Sequence, residues 1–256
     1  MSLHKLNTFH WHFTDDQGWR FESKKYPKLT EIGSIRIEKD GTKYGPSFYT
    51  QVDMKTIVSY AKMLCITVVP EIEMPGHSRA ALASYPELSC CIKSPKPVPN
   101  RWGTFKTNYC LGNSDTIQFS KDILDEVLEI FDSEIIHVGG DQVRPDNWIK
   151  CPKCQKFWKE EKIETPKEYQ CWFSKQIAAY LNQKVRIMIG WNETLDESLP
   201  KNSIIMNKGS VKNNYDAPNL GYKVVLTPYN CLFFDHYQFH QNDGHIYLGG
   251  MGTLYN

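Results

Sequence analysis

Net charge is nearly absent from this 256-residue chain: 30 Lys and Arg stand against 29 Asp and Glu, a formal +1. Without a basic excess there is no electrostatic footprint for a polyanion, and nucleic acid is not an expected partner. Long apolar runs are also missing. No stretch approaches the ~20 residues that a membrane-spanning helix requires, so no membrane span is expected. Met1 to Lys5 carry no basic region followed by an apolar one, and no secretory leader is read there. The 8 cysteines are too few over this length for a disulfide framework. Cys90 and Cys110 bracket a Pro-rich stretch and would pair only in an oxidising compartment. Cys151-Pro152-Lys153-Cys154 is a lone C-x-x-C without a second ligand pair, and it reads as plain loop rather than as a zinc or redox site. No linker or break in composition divides the chain, so one domain over 1–256 is expected.

Core-forming residues are plentiful. Hydrophobic residues make up 41% and aromatics 13%, enough to bury a substantial core and to exclude a disordered chain. The 7 Trp and 14 Tyr offer flat faces that suit core packing and equally suit stacking on sugar rings, and composition does not separate the two uses. Strand-like runs recur at Leu6–Phe13, Ile66–Ile72, Ile135–Val138, Arg186–Gly190, Ser203–Met206 and Lys223–Thr227. Between them the period becomes helical. Met54, Ile57, Val58, Ala61 and Leu64 share a face behind Asp53 as N-cap, and a short helix is expected from Ser78 to Tyr85. Ile117, Leu124, Val127, Leu128 and Phe131 share a face behind Asp115 as N-cap, and Pro166 opens a helix running to about Asn182. Residues 89–114 show no period and read as a long surface loop; the Gly- and Asn-rich tail 236–256 is left unassigned. Strands alternating with helices predict an α/β fold with a parallel sheet, and strands that end in polar or aromatic residues predict a (β/α) barrel. About six strands are legible, against the roughly eight that close such a barrel.

Those strand ends collect the chemistry: His10, His12, Asp15 and Asp16; Glu71, Glu73 and His77; His137, Asp141 and Gln142; Trp191 and Glu193; Asp235. The two glycines of His137-Val138-Gly139-Gly140-Asp141-Gln142 let the chain turn tightly as it delivers an acid and an amide. Two chemistries fit. His10-x-His12 puts both imidazoles on one face of a strand, where they would chelate a metal with His77 or His137 and an Asp, although packing is the more ordinary use of alternate histidines. Carboxylates beside Trp191 fit glycoside hydrolysis, with the indole as a floor for a pyranose ring.

The residues from Lys5 to Arg20 (KLNTFHWHFTDDQGWR) resemble a signature of the family-20 glycoside hydrolases, the β-N-acetylhexosaminidases. So do Pro70 to His77 (PEIEMPGH) and His137 to Val143 (HVGGDQV), and Gly190-Trp191-Asn192-Glu193 is similar to a fourth block. The resemblance implies a (β/α)8 TIM barrel that needs no cofactor or metal. It implies release of terminal N-acetylglucosamine or N-acetylgalactosamine from glycans or chitooligosaccharides, by secreted, periplasmic or lysosomal enzymes. The sugar's own acetamide oxygen is the nucleophile, an exception to the two-carboxylate scheme. By the same resemblance Asp141 orients the acetamide, Gln142 stands where the family has its general-acid Glu, and Asp15 and His77 form the relay behind that acid. Trp191 walls the pocket, His137 lines it, and Asp235 meets sugar hydroxyls. Four departures accompany the match. Gln142 has no proton to give. Asn207 takes the place of a pocket Trp. Phe233 takes the place of a Tyr whose hydroxyl would meet the acetamide. The family's first and last barrel strands have no counterpart before Met1 or after Tyr247, which predicts a barrel incomplete at both ends. The alternative expectation is a catalytically impaired protein that binds N-acetylhexosamine without turning it over.

Overall fold

The computed structural model describes residues 1–90, 96–101, 103–209 and 216–234. Asp235, Cys91 and the tail 236–256 lie outside the described residues. Among the described residues one parallel sheet runs in chain order through β1 (Thr8–His12), β2 (Thr67–Glu71), β3 (Ile135–His137), β4 (Ile187–Trp191), β5 (Ile204–Asn207) and β6 (Lys223–Leu226). Each strand therefore pairs with its sequence neighbour, as in a barrel wound in one direction. All six strands were legible in the sequence. The crossovers carry α1 (Gln51–Met63), α2 (Arg79–Ser84), α3 (Ser114–Ile130), α4 (Pro152–Glu160), α5 (Pro166–Gln183) and α6 (Asp216–Asn219).

Strand alternation divides the side chains between two environments. Val68, Ile136, Met188 and Ile205 face the helices and join the main core with Phe119, Val127, Phe173 and Ile177. Val69, Ile189, Ile204 and Met206 have the opposite parity and form a small separate cluster on the inner face, with Trp191 packed against it. Residues 10, 12, 71, 137 and 191 share that inner parity, so the polar strand ends all turn toward one mouth.

The helix starts differ in detail from the sequence reading. Thr50, not Asp53, caps α1: its hydroxyl accepts from the Asp53 N–H at 3.1 Å while the Asp53 carboxylate accepts from the Thr50 N–H at 2.9 Å. This reciprocal pair satisfies two end donors at once, and it moves the acid to the third helical position. Asn113, not Asp115, caps α3, its side-chain oxygen accepting from the Asp115 N–H at 3.2 Å.

The larger correction concerns the cysteines. Cys151-Pro152-Lys153-Cys154 is not a plain loop. Cys151 is the N-cap of α4, Pro152 is its first residue and Cys154 lies in its first turn. Nor is the motif alone: Cys90 and Cys110 come from the long loop to meet it. Both are free thiols, each with its sulfur 3.7 Å from that of Cys154.

Candidate active site

The mouth is built on Glu71, at the end of β2 and fully buried. His10 Nε2 stands 2.6 Å from one carboxylate oxygen, His137 Nδ1 3.2 Å from the other, and Trp191 Nε1 donates at 2.9 Å. Burial alone would raise this carboxyl. The surrounding imidazoles, His137 first and then His12 and His10, outweigh it and hold Glu71 well below the usual carboxylate range. His10 stacks on His137 with ring centres 4.5 Å apart, and His137 meets the Trp191 indole edge-on at 5.1 Å. Glu71 thus fixes the orientation of the indole that walls the mouth. The histidines grouped in the sequence reading separate here: His10 and His137 go to Glu71, while His77 goes elsewhere.

Beyond β3 the chain turns through Gly139 and Gly140, with φ of 64° and 93°. A Cβ on Gly139 would sit 1.8 Å from Glu73 Oε2, so only glycine fits this approach. The Gly140 N–H donates to the same carboxyl at 3.1 Å. Burial, followed by the charges of Asp141 and Glu71, pushes Glu73 well above its ordinary value. The turn delivers Asp141 almost buried, at 7% exposure, and Gln142 exposed with φ of 51°.

Asp141 touches two cations. Lys208 Nζ bonds one carboxylate oxygen, and His77 Nε2 lies 3.7 Å from the other. His77 Nδ1 is 2.9 Å from Asp15 and 3.1 Å from Asp16. Burial opposes its protonation, yet the hydrogen bonds to Asp15 and Asp16 and the charge of Asp141 raise it to about 10. His77 is therefore an imidazolium at neutral pH. Its charge holds Asp15 below the usual range against burial, whereas burial wins at Asp16 and raises it. Asp16 also caps the turn into α2, accepting from the Arg79 N–H at 3.1 Å. The expected relay residues, Asp15 and His77, are together. Their charge reaches Asp141, while the Gln142 amide oxygen accepts from Thr104 Oγ1 at 2.9 Å.

At the end of β5 the inner-facing position belongs to Lys208, not Asn207. Asn207 has the outer parity, and its side chain accepts from the Gly209 N–H at 2.8 Å. Lys208 Nζ lies 5.0 Å from the centre of the Trp191 ring and 3.8 Å from Glu193. Phe233 is half-buried, just after a helical turn at Tyr229–Leu232. Lys208 is not among the residues expected from the sequence, where Glu71, Glu73 and Asp16 stand at strand ends without assigned roles. Strand parity past Met206 was the available signal for Lys208.

A parallel α/β barrel sheet that gathers carboxylates, imidazoles and an indole at its carboxyl edge defines a barrel-type catalytic domain. Residues 1–254 match the family described as glycosyl hydrolase family 20, catalytic domain, and the chain belongs to that family. It is 41% identical over 255 residues to a β-hexosaminidase of Porphyromonas gingivalis, covering 99% of this chain and 33% of the relative. Among solved structures, a β-N-acetylhexosaminidase from Bacteroides fragilis has a TM-score of 0.78 at 39% identity, covering 90% of this chain and 46% of that one. An exo-β-N-acetylglucosaminidase from Vibrio harveyi, in complex with N-acetylglucosamine, has a TM-score of 0.83 at 30% identity, covering 93% and 38%. The chain thus spans between a third and a half of the length of these relatives.

Proposed function

We propose that the protein carrying this chain is a β-N-acetylhexosaminidase-type glycoside hydrolase acting on terminal N-acetylglucosamine or N-acetylgalactosamine. The observation that carries the reading is Asp141: a nearly buried carboxylate, set by the Gly139-Gly140 turn, at the mouth that Trp191 walls. The names of the relatives, two β-hexosaminidases and an exo-β-N-acetylglucosaminidase, favour hydrolysis over binding alone.

In this reading the acetamide oxygen of the bound sugar attacks the anomeric carbon as the bond to the leaving oxygen breaks. Asp141 accepts the acetamide N–H and balances the positive charge of the resulting oxazolinium. Water then opens that ring and restores the original anomeric configuration. Glu73, whose ionisation is opposed by burial and by the neighbouring carboxylates, backs Asp141. Trp191, fixed by Glu71, closes the acetamide side. Gln142 occupies the acid position but has no titratable proton, so the leaving oxygen departs without protein assistance. Substrates with acidic leaving groups are the ones this chain handles best.

The test compares three nitrophenyl glycosides: the N-acetylglucosaminide, its N-trifluoroacetyl analogue and the plain glucoside. Fluorination weakens the acetamide as a nucleophile, so the rate should fall steeply across the series, with the glucoside inert. A glucoside cleaved as fast as the N-acetylglucosaminide removes the acetamide mechanism. No turnover of any of the three, even after Gln142→Glu, removes the hydrolase reading.

A further inference from the structure

The four cysteines Cys90, Cys110, Cys151 and Cys154 stand outside the mouth and have no part in the chemistry above. Their sulfur atoms all lie within 4.8 Å of one another. Cys110 Sγ is 3.8 Å from Cys151 and 3.7 Å from Cys154, and Cys90 is 3.7 Å from Cys154. A disulfide brings sulfur atoms to about 2.05 Å, so these contacts are not bonds. A tetrahedral zinc with Zn–S bonds of about 2.3 Å sets its ligand sulfurs about 3.8 Å apart, which is the spacing of these three pairs. Cys110, Cys151 and Cys154 are at most 4% exposed, and Cys90 is half-buried.

The surroundings suit thiolates rather than an apolar packing of thiols. Cys151 and Cys154 lie at the start of α4, where the free N–H groups of the first turn favour negative charge. The Gly112 N–H donates to the Cys154 sulfur. Gly112 is held so close to the Lys153–Cys154 backbone that a Cβ on it would sit 2.5 to 2.6 Å from those atoms. The two turns therefore press together, Cys110-Leu111-Gly112 against Cys151-Pro152-Lys153-Cys154. The hydroxyl of fully buried Tyr169 has no hydrogen-bonded oxygen or nitrogen among the described residues, and it lies within the field of Cys154. Ligand sulfurs are commonly supported by outer donors of this kind.

We infer that Cys90, Cys110, Cys151 and Cys154 form a structural zinc site, a closed tetrathiolate that pins the long loop after Leu88 to the start of α4. On binding Zn²⁺ the four thiols release their protons to solvent and no redox change occurs. With four protein ligands the ion keeps no open position, so the site holds structure and takes no part in hydrolysis. Binding energy at such a site adds directly to folding stability.

The test uses the full-length protein that carries this sequence, purified without chelator or added metal. Elemental analysis should find about one zinc per chain. Replacement by Co²⁺ should give the intense visible bands and sulfur-to-metal charge transfer of a tetrahedral thiolate complex. Removing the metal should lower the melting temperature by more than about 5 °C and expose four additional reactive thiols. Cys154→Ser should lose the metal, whereas the exposed Cys65→Ser should keep it. Should Cys154→Ser not fold, the cobalt spectrum and thiol count of the wild-type protein decide the matter alone. Less than a tenth of an equivalent of zinc together with no cobalt spectrum, disulfides among these cysteines, or iron in place of zinc would each overturn the inference.

Discussion

Under the proposed function, placing an acid at residue 142 is the most direct probe of the candidate site. Gln142→Glu changes an amide into a carboxyl of the same shape, and its oxygen keeps the hydrogen bond from Thr104 seen at 2.9 Å. Because residue 142 is exposed, the new carboxyl should titrate close to the ordinary glutamate value of about 4.3. About one molecule in six is then protonated at pH 5 and about one in 500 at pH 7. A positioned general acid is worth roughly 10²- to 10⁴-fold, or about 3 to 5 kcal/mol of barrier. The gain should fall on poor leaving groups. An alkyl or chitobiose-type N-acetylglucosaminide should be cleaved at least about 100-fold faster by the variant near pH 5, with the advantage shrinking about tenfold per pH unit above that. A nitrophenyl substrate, whose oxygen leaves without a proton, should gain less than about tenfold. The assay is kcat/KM for both substrates from pH 4 to 8, with melting temperature as the check on folding. A folded variant whose rates on both substrates stay within about twofold of the parent from pH 4 to 6 refutes the reasoning. The obstacle would then be the pocket rather than the proton.

Three further outcomes follow from the charges around Asp141. His77 is raised to about 10 from an ordinary value of 6.5, so the stability it contributes is complete below about pH 6.5 and is lost as pH rises through about 10. Urea unfolding should show the parent losing a few kcal/mol over that interval and His77→Gln losing much less; equal losses sink the assignment. Glu71→Ala removes the carboxylate that faces His10 Nε2 and accepts from Trp191 Nε1, while His137 Nδ1 keeps the Gly139 N–H, and should cost about 3 to 5 kcal/mol in the same assay, whereas a cost under about 1 kcal/mol would mean that His10 and Trp191 find other partners. Lys208→Met removes the ammonium that occupies Asp141 and covers Trp191, so KM for an N-acetylglucosaminide should drop by about threefold or more with kcat moving less. A higher KM would instead make Lys208 a sugar-binding residue.

The strands were legible because each is a short β-branched run ending in polar residues, and strand parity carried His10, Glu71, His137 and Trp191 to one face without further information. Helix starts were less legible. Thr50 and Asp53 both cap well, and only the reciprocal bonding decides which residue is outermost. The glycines of the β3 turn signalled a close approach, but not that Glu73 was the group approached. Lys208 escaped notice because one residue of register separates it from Asn207. The cysteine cluster escaped for a different reason. Its ligands sit 20, 41 and 3 residues apart along the chain, and Cys90 and Cys110 are brought to the other two only by the packing of an aperiodic loop against α4. A spacing rule written for compact zinc modules has no purchase on that arrangement.

The cluster and the acid position are mechanically joined. From Cys110 the chain runs back through Tyr109, whose N–H donates to Pro75 O at 3.1 Å and whose carbonyl accepts from Trp148 Nε1 at 2.8 Å. Asn108 bonds the carbonyl of Arg144, two residues past Gln142, and Thr104 holds the Gln142 amide itself. One end of segment 104–110 is therefore anchored at the sulfurs and the other at residue 142. A carboxyl restored at 142 donates usefully only if this wall holds it in place, since small displacements of a catalytic group are costly. Loosening the anchor should then consume part of the gain. With Cys90→Ser, the half-buried member of the four, the rate increase from Gln142→Glu on an alkyl N-acetylglucosaminide should shrink by about tenfold or more. The nitrophenyl rate, which needs no acid, should change little. Purely additive effects in this double-mutant cycle would mean that the sulfur cluster stabilises the fold without positioning the acid.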